Sequence, residues 1–547
     1  MSDVQLSGVG VSPGRASGPV VKVTDSIAEP ASTPSPEDAH AEAARIAPAA
    51  QNVAARLEAM AEAAGGDAAT ILTTTAAMAG DPALVSQAEQ LVTAQRIPAA
   101  RAVYEAANNF AHALASAGGY MAERVRDIED VRDRIIAELL GIAPPGVPRL
   151  DTPSVLLARD LAPADTASLD PAKVLALVTE EGGPTSHTAI LARSLGIPAV
   201  VAVRGALAVE AEALAVDGDT GTVRAADPSA PAVASSVTGT AEWDGEGRTA
   251  DGHEVKVLAN VGAPGDARAA AEAGAEGVGL FRTEFCYLDA DDEPGVGQQQ
   301  DAYRAVLEPF AGKPVVVRTL DAGADKPLAF LAQEPEPNPA LGVRGIRVAF
   351  DRTSVLDRQL DAIAGAAAES GAEVSVMAPM VATAEEASWF AERVRAAGIA
   401  RAGVMIEVPA AAMTAREVFD AVDFVSVGTN DLAQYTFAAD RQLGAVATLN
   451  DPWQPALLRL LALVGEAATA KGKPAGVCGE AAADPLLARV LVGLGVTSLS
   501  MNPASVRAVG ASLAAVTSAE CAAAAQAALA APTARAARAA ATPGGQA

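Results

Sequence analysis

The stretch Lys256–Phe285, KVLANVGAPGDARAAAEAGAEGVGLFRTEF, holds a short apolar run, an alanine-rich tract of helical length, and a second apolar run ending at Arg282-Thr283-Glu284. Short Val- and Leu-rich runs fit buried strands, and the tract between them is long enough for one helix. The rhythm recurs downstream. The candidate strands are KVLANV, GVGLF, PVVV, VSVMAP, GVMIE, DFVSV, PAGVC and TSLSM, each separated from the next by an alanine-rich segment. Eight strands alternating with helices over about 250 residues predict a (β/α)8 TIM barrel.

In such a barrel, chemistry gathers at the C-terminal ends of the strands. Those ends carry Arg282-Thr283-Glu284, Arg318-Thr319-Leu320-Asp321, Glu407, Gly428-Thr429-Asn430-Asp431, Cys478-Gly479-Glu480 and Met501-Asn502. Two arginines on neighbouring strands form a fork for phosphate or carboxylate. Glu407 and Asp431 supply the hard oxygen ligands that magnesium prefers. Together these residues describe a polyanion bound through a divalent metal. The other reading of the same charges is a ring of salt bridges closing the barrel mouth. Cys478 likewise has two readings, a small core residue or a thiol that donates a proton to a carbon centre.

Outward from the barrel the pattern changes. Residues 230–251 are polar, with Gly and Ser, and read as a linker. Before them, VPRLDTPSVLLARDL, VLALVTE and PAVVAV are extended in character, with a helix expected over Thr188–Leu195. From His40 to Leu140 no strand alternation appears, and the breaks AAGGDAA, AGDPALV and SAGGYM mark roughly four helices. A strand-like segment, Gly18–Val23, precedes them. The expected chain is multidomain α/β. Residues 1–25 with 145–229 form an N-terminal α/β domain into which an all-α subdomain, 26–144, is inserted, and 252–520 form the C-terminal barrel. The alanine-rich tract 521–547 is expected to be a helix that frays into a disordered tail.

Lys and Arg total 40 against 67 Asp and Glu, a net charge of -27, which argues against a nucleic-acid partner. Cys286, Cys478 and Cys521 form no CxxC pair, as expected of a reducing cytoplasm. The N-terminal residues lack the layout of a secretory signal, and no window is apolar for long enough to insert in a membrane.

His187 is one of only four histidines. Gly182-Gly183 permits a sharp turn, Pro184 fixes φ, and Thr185 or Ser186 can cap a following helix. His187 then falls in or near a first helical turn, where the dipole favours an anion and keeps a nucleophilic imidazole neutral. A histidine that merely caps the turn is the equal alternative. His40, His112 and His253 have no supporting motif.

The segment GGPTSHTAILARSLGIPAVV resembles the phosphohistidine segment of the PEP-utilising enzymes. GAEGVGLFRTEF, VVVRTLDAGADKP, LGVRGIR, VMIEVPAA, FVSVGTNDLAQYTFAADR and VCGEAAADP resemble that family's Enzyme I branch, from the PEP-dependent sugar phosphotransferase system. The resemblance extends from SGVGVSPGRASGPV to MNPASVRAVG. It implies a swivelling phosphohistidine domain, a helical subdomain that docks the phosphocarrier HPr, and a PEP-binding barrel through which members form homodimers. It further implies that phosphoenolpyruvate (PEP) phosphorylates His187, oriented by Thr166, and that the phosphoryl group then passes to a histidine of HPr. Arg282, Arg318 and Arg441 would hold PEP, with Arg344 nearby and Asn430 and Asp431 in contact. Glu407 and Asp431 would bind Mg2+, and Cys478 would protonate the enolate to pyruvate. ILTTTAAMAGDPALV departs from the family's acidic, histidine-containing run, so the carrier interface does not carry over in detail. The dikinase and synthase branches need an ATP-binding region, and no Gly-rich phosphate loop precedes His187.

Overall fold

A computed structural model describes residues 5–12, 14–23, 27–64, 66–117, 125–142, 144, 146–148, 150–161, 169–170, 172–183, 188–189, 192, 195–218, 220–235, 243–287, 292–324, 328–331, 334, 336–440 and 443–542. The chain divides into two units, Met1–Ser236 and Val237–Ala547.

The first unit is built on a nine-stranded sheet. Its strands are β1 (Gln5–Ser7), β2 (Val9–Ser12), β3 (Arg15–Lys22), β4 (Ser154–Ala158), β5 (Val174–Thr179), β6 (Ala199–Val201), β7 (Ala213–Asp217), β8 (Thr222–Ala225) and β9 (Val233–Ser235). The order is β1-β8-β7-β3-β4-β5-β6-β2, and β9 also pairs with β3. The central strands β3 to β6 are parallel. Leu156 and Leu177 bury against one face and Val155, Leu157, Ala176 and Val178 against the other. Burial on both faces explains why these strands read as continuous apolar runs. The β7–β8 hairpin and the short strands β1, β2 and β9 were not expected: each is brief and rich in Gly, Ser or Asp. Through β9 the sheet reaches Ser235, into the segment read as a linker.

Between β3 and β4 lies the helical insertion. It has α1 (Ala39–Ala43), α2 (Ile46–Ala64), α3 (Gly66–Ala79), α4 (Pro82–Gln95), α5 (Ala99–Ala117) and α6 (Val125–Leu140). Among the described residues six segments replace the roughly four expected, partly because Asp38 caps the separate short α1 by accepting from the His40 and Ala41 amides. The AGDPALV break falls where predicted: Asp81 caps α4 and Pro82 opens it. Ile46, Val53, Leu57, Leu72, Leu84, Val103, Val131 and Ile135 fill the core of this bundle.

The second unit contains the closed barrel that the sequence predicts. Its strands are β10 (Lys256–Val261), β11 (Val278–Arg282), β12 (Pro314–Arg318), β13 (Glu373–Ala378), β14 (Ala402–Ile406), β15 (Phe424–Gly428), β16 (Ala475–Cys478) and β17 (Ser498–Met501). Every neighbouring pair is parallel, and β17 closes onto β10. The helices that follow are α7 (Pro264–Glu272), α8 (Val296–Leu307), α9 (Ile346–Asp351), α10 (Thr353–Ser370), α11 (Ala384–Ala396), α12 (Pro409–Met413), α13 (Ala415–Ala421), α14 (Thr429–Phe437), α15 (Pro455–Lys471), α16 (Glu480–Ala483), α17 (Pro485–Gly493) and α18 (Val506–Ala514). Side chains alternate along the strands. Leu280, Val316, Met377, Met405, Phe424 and Cys478 gather inside the barrel, whereas Val257, Phe281, Val317 and Val404 pack outward against the helices.

Both flanks of the barrel depart from expectation. Trp243 donates from Nε1 to the Gly274 carbonyl at 3.1 Å, and its ring lies so close to Gly510 that a Cβ there would meet it at 2.1 Å. Asp251 accepts from the amide and hydroxyl of Ser518. Residues 243–251 are thus fixed to the barrel. The tail is not frayed over its described length: α19 (Ser518–Ala530) and α20 (Ala534–Ala541) bury Cys521, Ala525, Ala528, Ala537 and Ala541. Alanine allows this close helix packing because it has almost no side chain to displace. No single helix among the described residues is long and apolar enough to cross a membrane.

Candidate active site at the barrel mouth

Period-two alternation gathers the site. Leu280, Val316 and Met405 occupy the lumen, so Arg282, Arg318 and Glu407, two residues further on, share that side at the C-terminal mouth. Arg282 and Arg318 are direct partners in the β11–β12 register. Arg282 stays exposed to solvent. The surrounding walls still disfavour its charge, and Arg318 beside it adds repulsion, so its pKa is lowered.

Arg318 lies deeper, 7% exposed. Its Nη2 donates to Glu284 Oε1 at 2.9 Å, and its Nη1 is 3.3 Å from Asp321 Oδ2. Burial works against its charge, but Glu284, Asp321, Glu407 and Asp431 together outweigh burial and raise its pKa. Its Nε is buried with no hydrogen-bond partner among the described residues. Asp321 is fully buried and receives a bidentate pair from Arg344, Nε to Oδ1 at 2.9 Å and Nη2 to Oδ2 at 3.0 Å. Arg344 also donates to Asp431 Oδ2 at 3.1 Å and to the Tyr435 hydroxyl at 3.2 Å. Arg344 thus ties the end of β12 to α14, where Asp431 sits.

Glu407 is 1% exposed and accepts from the Met380 amide at 2.6 Å. Met380 holds a left-handed backbone, φ 60°, to present that amide. Burial and the Asp431 and Asp321 charges push the Glu407 carboxyl up to about 8, against the pull of Arg318 and Arg344. A cation beside Glu407 and Asp431 would relieve that repulsion. Space is kept there: a Cβ on Gly428 would lie 2.9 Å from Glu407 Oε2. Among the described residues no three His, Cys, Asp or Glu side chains form a complete metal cage. Two carboxylates suit magnesium, which usually keeps waters and takes its remaining ligands from a phosphate substrate. The residues fit the ion.

Cys478 is buried, and its thiol approaches the Val427 carbonyl at 3.4 Å. Burial pushes its pKa up to about 11, despite a hydrogen bond with Ser426. The group is therefore a neutral thiol at physiological pH, able to give a proton. Thr429 Oγ1 donates to the Cys478 carbonyl at 3.0 Å, and Asn430 Oδ1 accepts from the Glu480 amide at 3.3 Å. Asn430 and Cys478 thereby share one corner of the mouth.

The structure thus brings Arg282, Arg318, Arg344, Glu407, Asn430, Asp431 and Cys478 to one end of the barrel. His187, Thr166 and Arg441 lie outside the described residues. Several partners were missed as functional residues in the sequence. Glu284 and Asp321 stand at strand ends but were assigned no role. Gln359 donates to Thr283 Oγ1 and accepts from the Leu320 amide, holding the β11 and β12 ends together. Its signal was a polar residue within the apolar stripe Leu356, Leu360 and Ile363 of α10. Tyr435 had no such signal.

Residues 240–518 match the model described as "PEP-utilising enzyme, PEP-binding domain", 150–221 the "mobile domain", and 7–124 the "N-terminal" domain of the same enzymes. A phosphoenolpyruvate-protein phosphotransferase of Streptomyces coelicolor is 54% identical over 533 residues, 95% of each chain. Proteins of the same name from Staphylococcus carnosus and Haloferax volcanii are 40% and 42% identical, covering 81% and 78% of both chains respectively. With three regions matching models of these enzymes and a relative 54% identical over 95% of its length, this chain belongs to the PEP-utilising enzyme family.

Proposed function

We infer that this chain is a phosphoenolpyruvate-protein phosphotransferase, an enzyme that passes the phosphoryl group of PEP to its own His187 and then to a histidine of HPr. The observation that carries the site assignment is the register of Arg282 with Arg318 beside the buried carboxylates Glu407 and Asp431. Phosphoryl transfer needs chiefly positioning and charge neutralisation, and this mouth offers both.

In the proposed reaction Arg282, Arg318, Asn430 and Arg441 hold the phosphate and carboxylate of PEP. Arg344 acts through Asp431, since its guanidinium donates to Asp321, Asp431 and Tyr435. Glu407 and Asp431 are the residues that would hold magnesium, which supplies neutralisation of phosphate charge when bound. The phosphorus–oxygen bond of PEP breaks as a bond from phosphorus to a neutral imidazole nitrogen of His187 forms, with Thr166 orienting the ring. The electron pair left on the enolate oxygen becomes the ketone as carbon takes the proton of Cys478, giving pyruvate. Solvent then returns a proton to the thiolate.

His187 belongs to the first unit and the barrel to the second, so the reading requires the first unit to swivel between PEP and HPr. The hinge is assigned to the 230–251 connection, within which β9 pairs with β3 of the first unit and Trp243 is anchored to the second. The helical insertion is the HPr-docking element, the barrel the homodimer interface, and the cytoplasm the compartment. Incubation with labelled PEP and magnesium should label the wild type and transfer label to added HPr. Label that persists in His187→Ala, or appears only with ATP, would overturn the assignment.

A further inference from the structure

The end of the chain reaches two loops of the barrel mouth through one side chain. Arg538, on α20, places Nη1 3.1 Å from Asp484 Oδ2 and its guanidinium carbon 5.5 Å from the centre of the Trp453 ring. Trp453 is 1% exposed and donates from Nε1 to the same Asp484 oxygen at 3.0 Å. Charge, ring and indole N–H thus form one closed cluster.

Each partner leads toward the site. Asp484 directly follows α16, the four-residue helix that begins two residues after Cys478. Its Oδ1 caps α17, accepting from Leu486 and Leu487. The first residue of α16, Glu480, donates its amide to Asn430. Trp453 donates its own amide to Asp451. The neighbouring Asn450 donates from Nδ2 to the Ala439 carbonyl, two residues before Arg441. Asp451 is disfavoured as an anion by burial and by the Asp484 charge, and Arg538 is the cation that opposes this.

We propose that Arg538 is a positioning residue for PEP binding, clamping the loop after β16 to the segment after α14 so that Asn430 keeps its place. The inference rests on the reading of Asn430 as a PEP contact. Arg538 touches neither substrate nor reacting atoms. Its loss leaves only the Trp453 Nε1–Asp484 bond of the cluster between the two loops and loosens them, weakening ground-state and transition-state binding alike, which raises KM and leaves kcat nearly unchanged.

The test uses the full chain and measures pyruvate release against PEP concentration. Arg538→Ala should raise KM for PEP about five- to tenfold with kcat within about twofold. Arg538→Lys, which keeps a charge for Asp484, should recover most of the loss. Thr517→Ala removes the N-cap of α19 without touching the cluster. It should lower the melting temperature and leave KM alone. If Arg538→Ala does not fold, Trp453→Phe removes only the Nε1 donor and should raise KM about threefold. An unchanged KM in the folded Arg538→Ala, or in Trp453→Phe when that variant decides, overturns the clamp. So does an equal rise in Thr517→Ala, which would mark a general loosening. Wild type that takes no label from PEP sinks the phosphotransferase reading instead, so the two failures are distinct.

Discussion

Glu407 carries a penalty that can be measured without following the reaction. Burial, then the charges of Asp431 and Asp321, moves its carboxyl from an ordinary 4.5 up to about 8. At ~1.4 kcal/mol per pH unit this interval sets a ceiling of about 5 kcal/mol. The sign follows from which state holds the proton. Below the ordinary value both folded and unfolded chains are protonated, and the group contributes nothing. Between about 4.5 and about 8 the unfolded carboxyl ionises while the folded one keeps its proton, so stability falls as pH rises; above that the loss is constant. Glu407→Gln removes the titration, and its amide oxygen can still accept from Met380. For a domain of this size, with about 2 °C of melting temperature per kcal/mol, the variant should gain little over wild type near pH 5 and up to about 10 °C near pH 8. The assay is thermal unfolding in chelator across that range, repeated with magnesium. Magnesium should raise the wild type toward the variant and leave the variant unmoved. A gap of the same size at both pH values would refute the electrostatic account, and equal magnesium effects on both proteins would remove Glu407 from the metal site.

Three other perturbations separate the residues of the mouth. Arg344→Met removes the bidentate partner of Asp321 and a buried donor to Asp431 and should cost about 3–5 kcal/mol in denaturant unfolding, with Arg344→Lys recovering only part because it cannot make the bidentate pair. Cys478→Ala should slow pyruvate release from PEP by about 10²-fold or more while melting within a few degrees of wild type; the native thiol, held up at about 11, should resist alkylation near neutral pH. Gly428→Ala introduces a Cβ 2.9 Å from Glu407 Oε2 and 3.0 Å from Met405 Sδ, so it should weaken the magnesium-dependent rise in melting temperature.

The barrel was legible because two independent signals agreed, apolar runs of strand length and alanine-rich spacers of helix length, eight times over. The mouth was legible because alternation along a strand fixes which residue points inward once the lumen is known, as with Met405 and Glu407. The first unit's outer strands were harder to read. The sequence between β7 and β8 is polar and glycine-rich, and the few residues of the two strands do not outweigh that signal. The alanine tail was misjudged for a physical reason: low complexity describes composition, whereas packing depends on how closely two backbones approach. Gly493 shows this, since a Cβ there would meet the Cys521 carbonyl oxygen at 2.1 Å. Gln359, Tyr435 and Arg538 reach the mouth or its loops from helices, and no local spacing announces such a contact.

The two readings of the strand-end charges, a ligand fork or a ring of salt bridges, describe different layers of one site. Arg344 and Arg318 lie within a buried ring with Glu284, Asp321 and Asp431, so much of their hydrogen-bonding capacity goes to the protein itself. Arg282 stands above them, exposed and repelled by Arg318, and is the guanidinium most ready to accept an incoming anion. The described mouth sets three arginines against the four carboxylates Glu284, Asp321, Glu407 and Asp431, and the raised pKa of Glu407 keeps a proton there, so the arrangement has no surplus of positive charge. A polyanion such as PEP would gain little from entering that field alone. A divalent cation exchanged for the Glu407 proton reverses the balance and places the new charge at the carboxylates rather than at Arg282. On this argument metal and PEP bind with positive coupling, each raising the other's affinity by the same factor. The proton released from Glu407 as the metal enters gives that coupling a pH dependence, so magnesium affinity should strengthen as pH rises toward about 8.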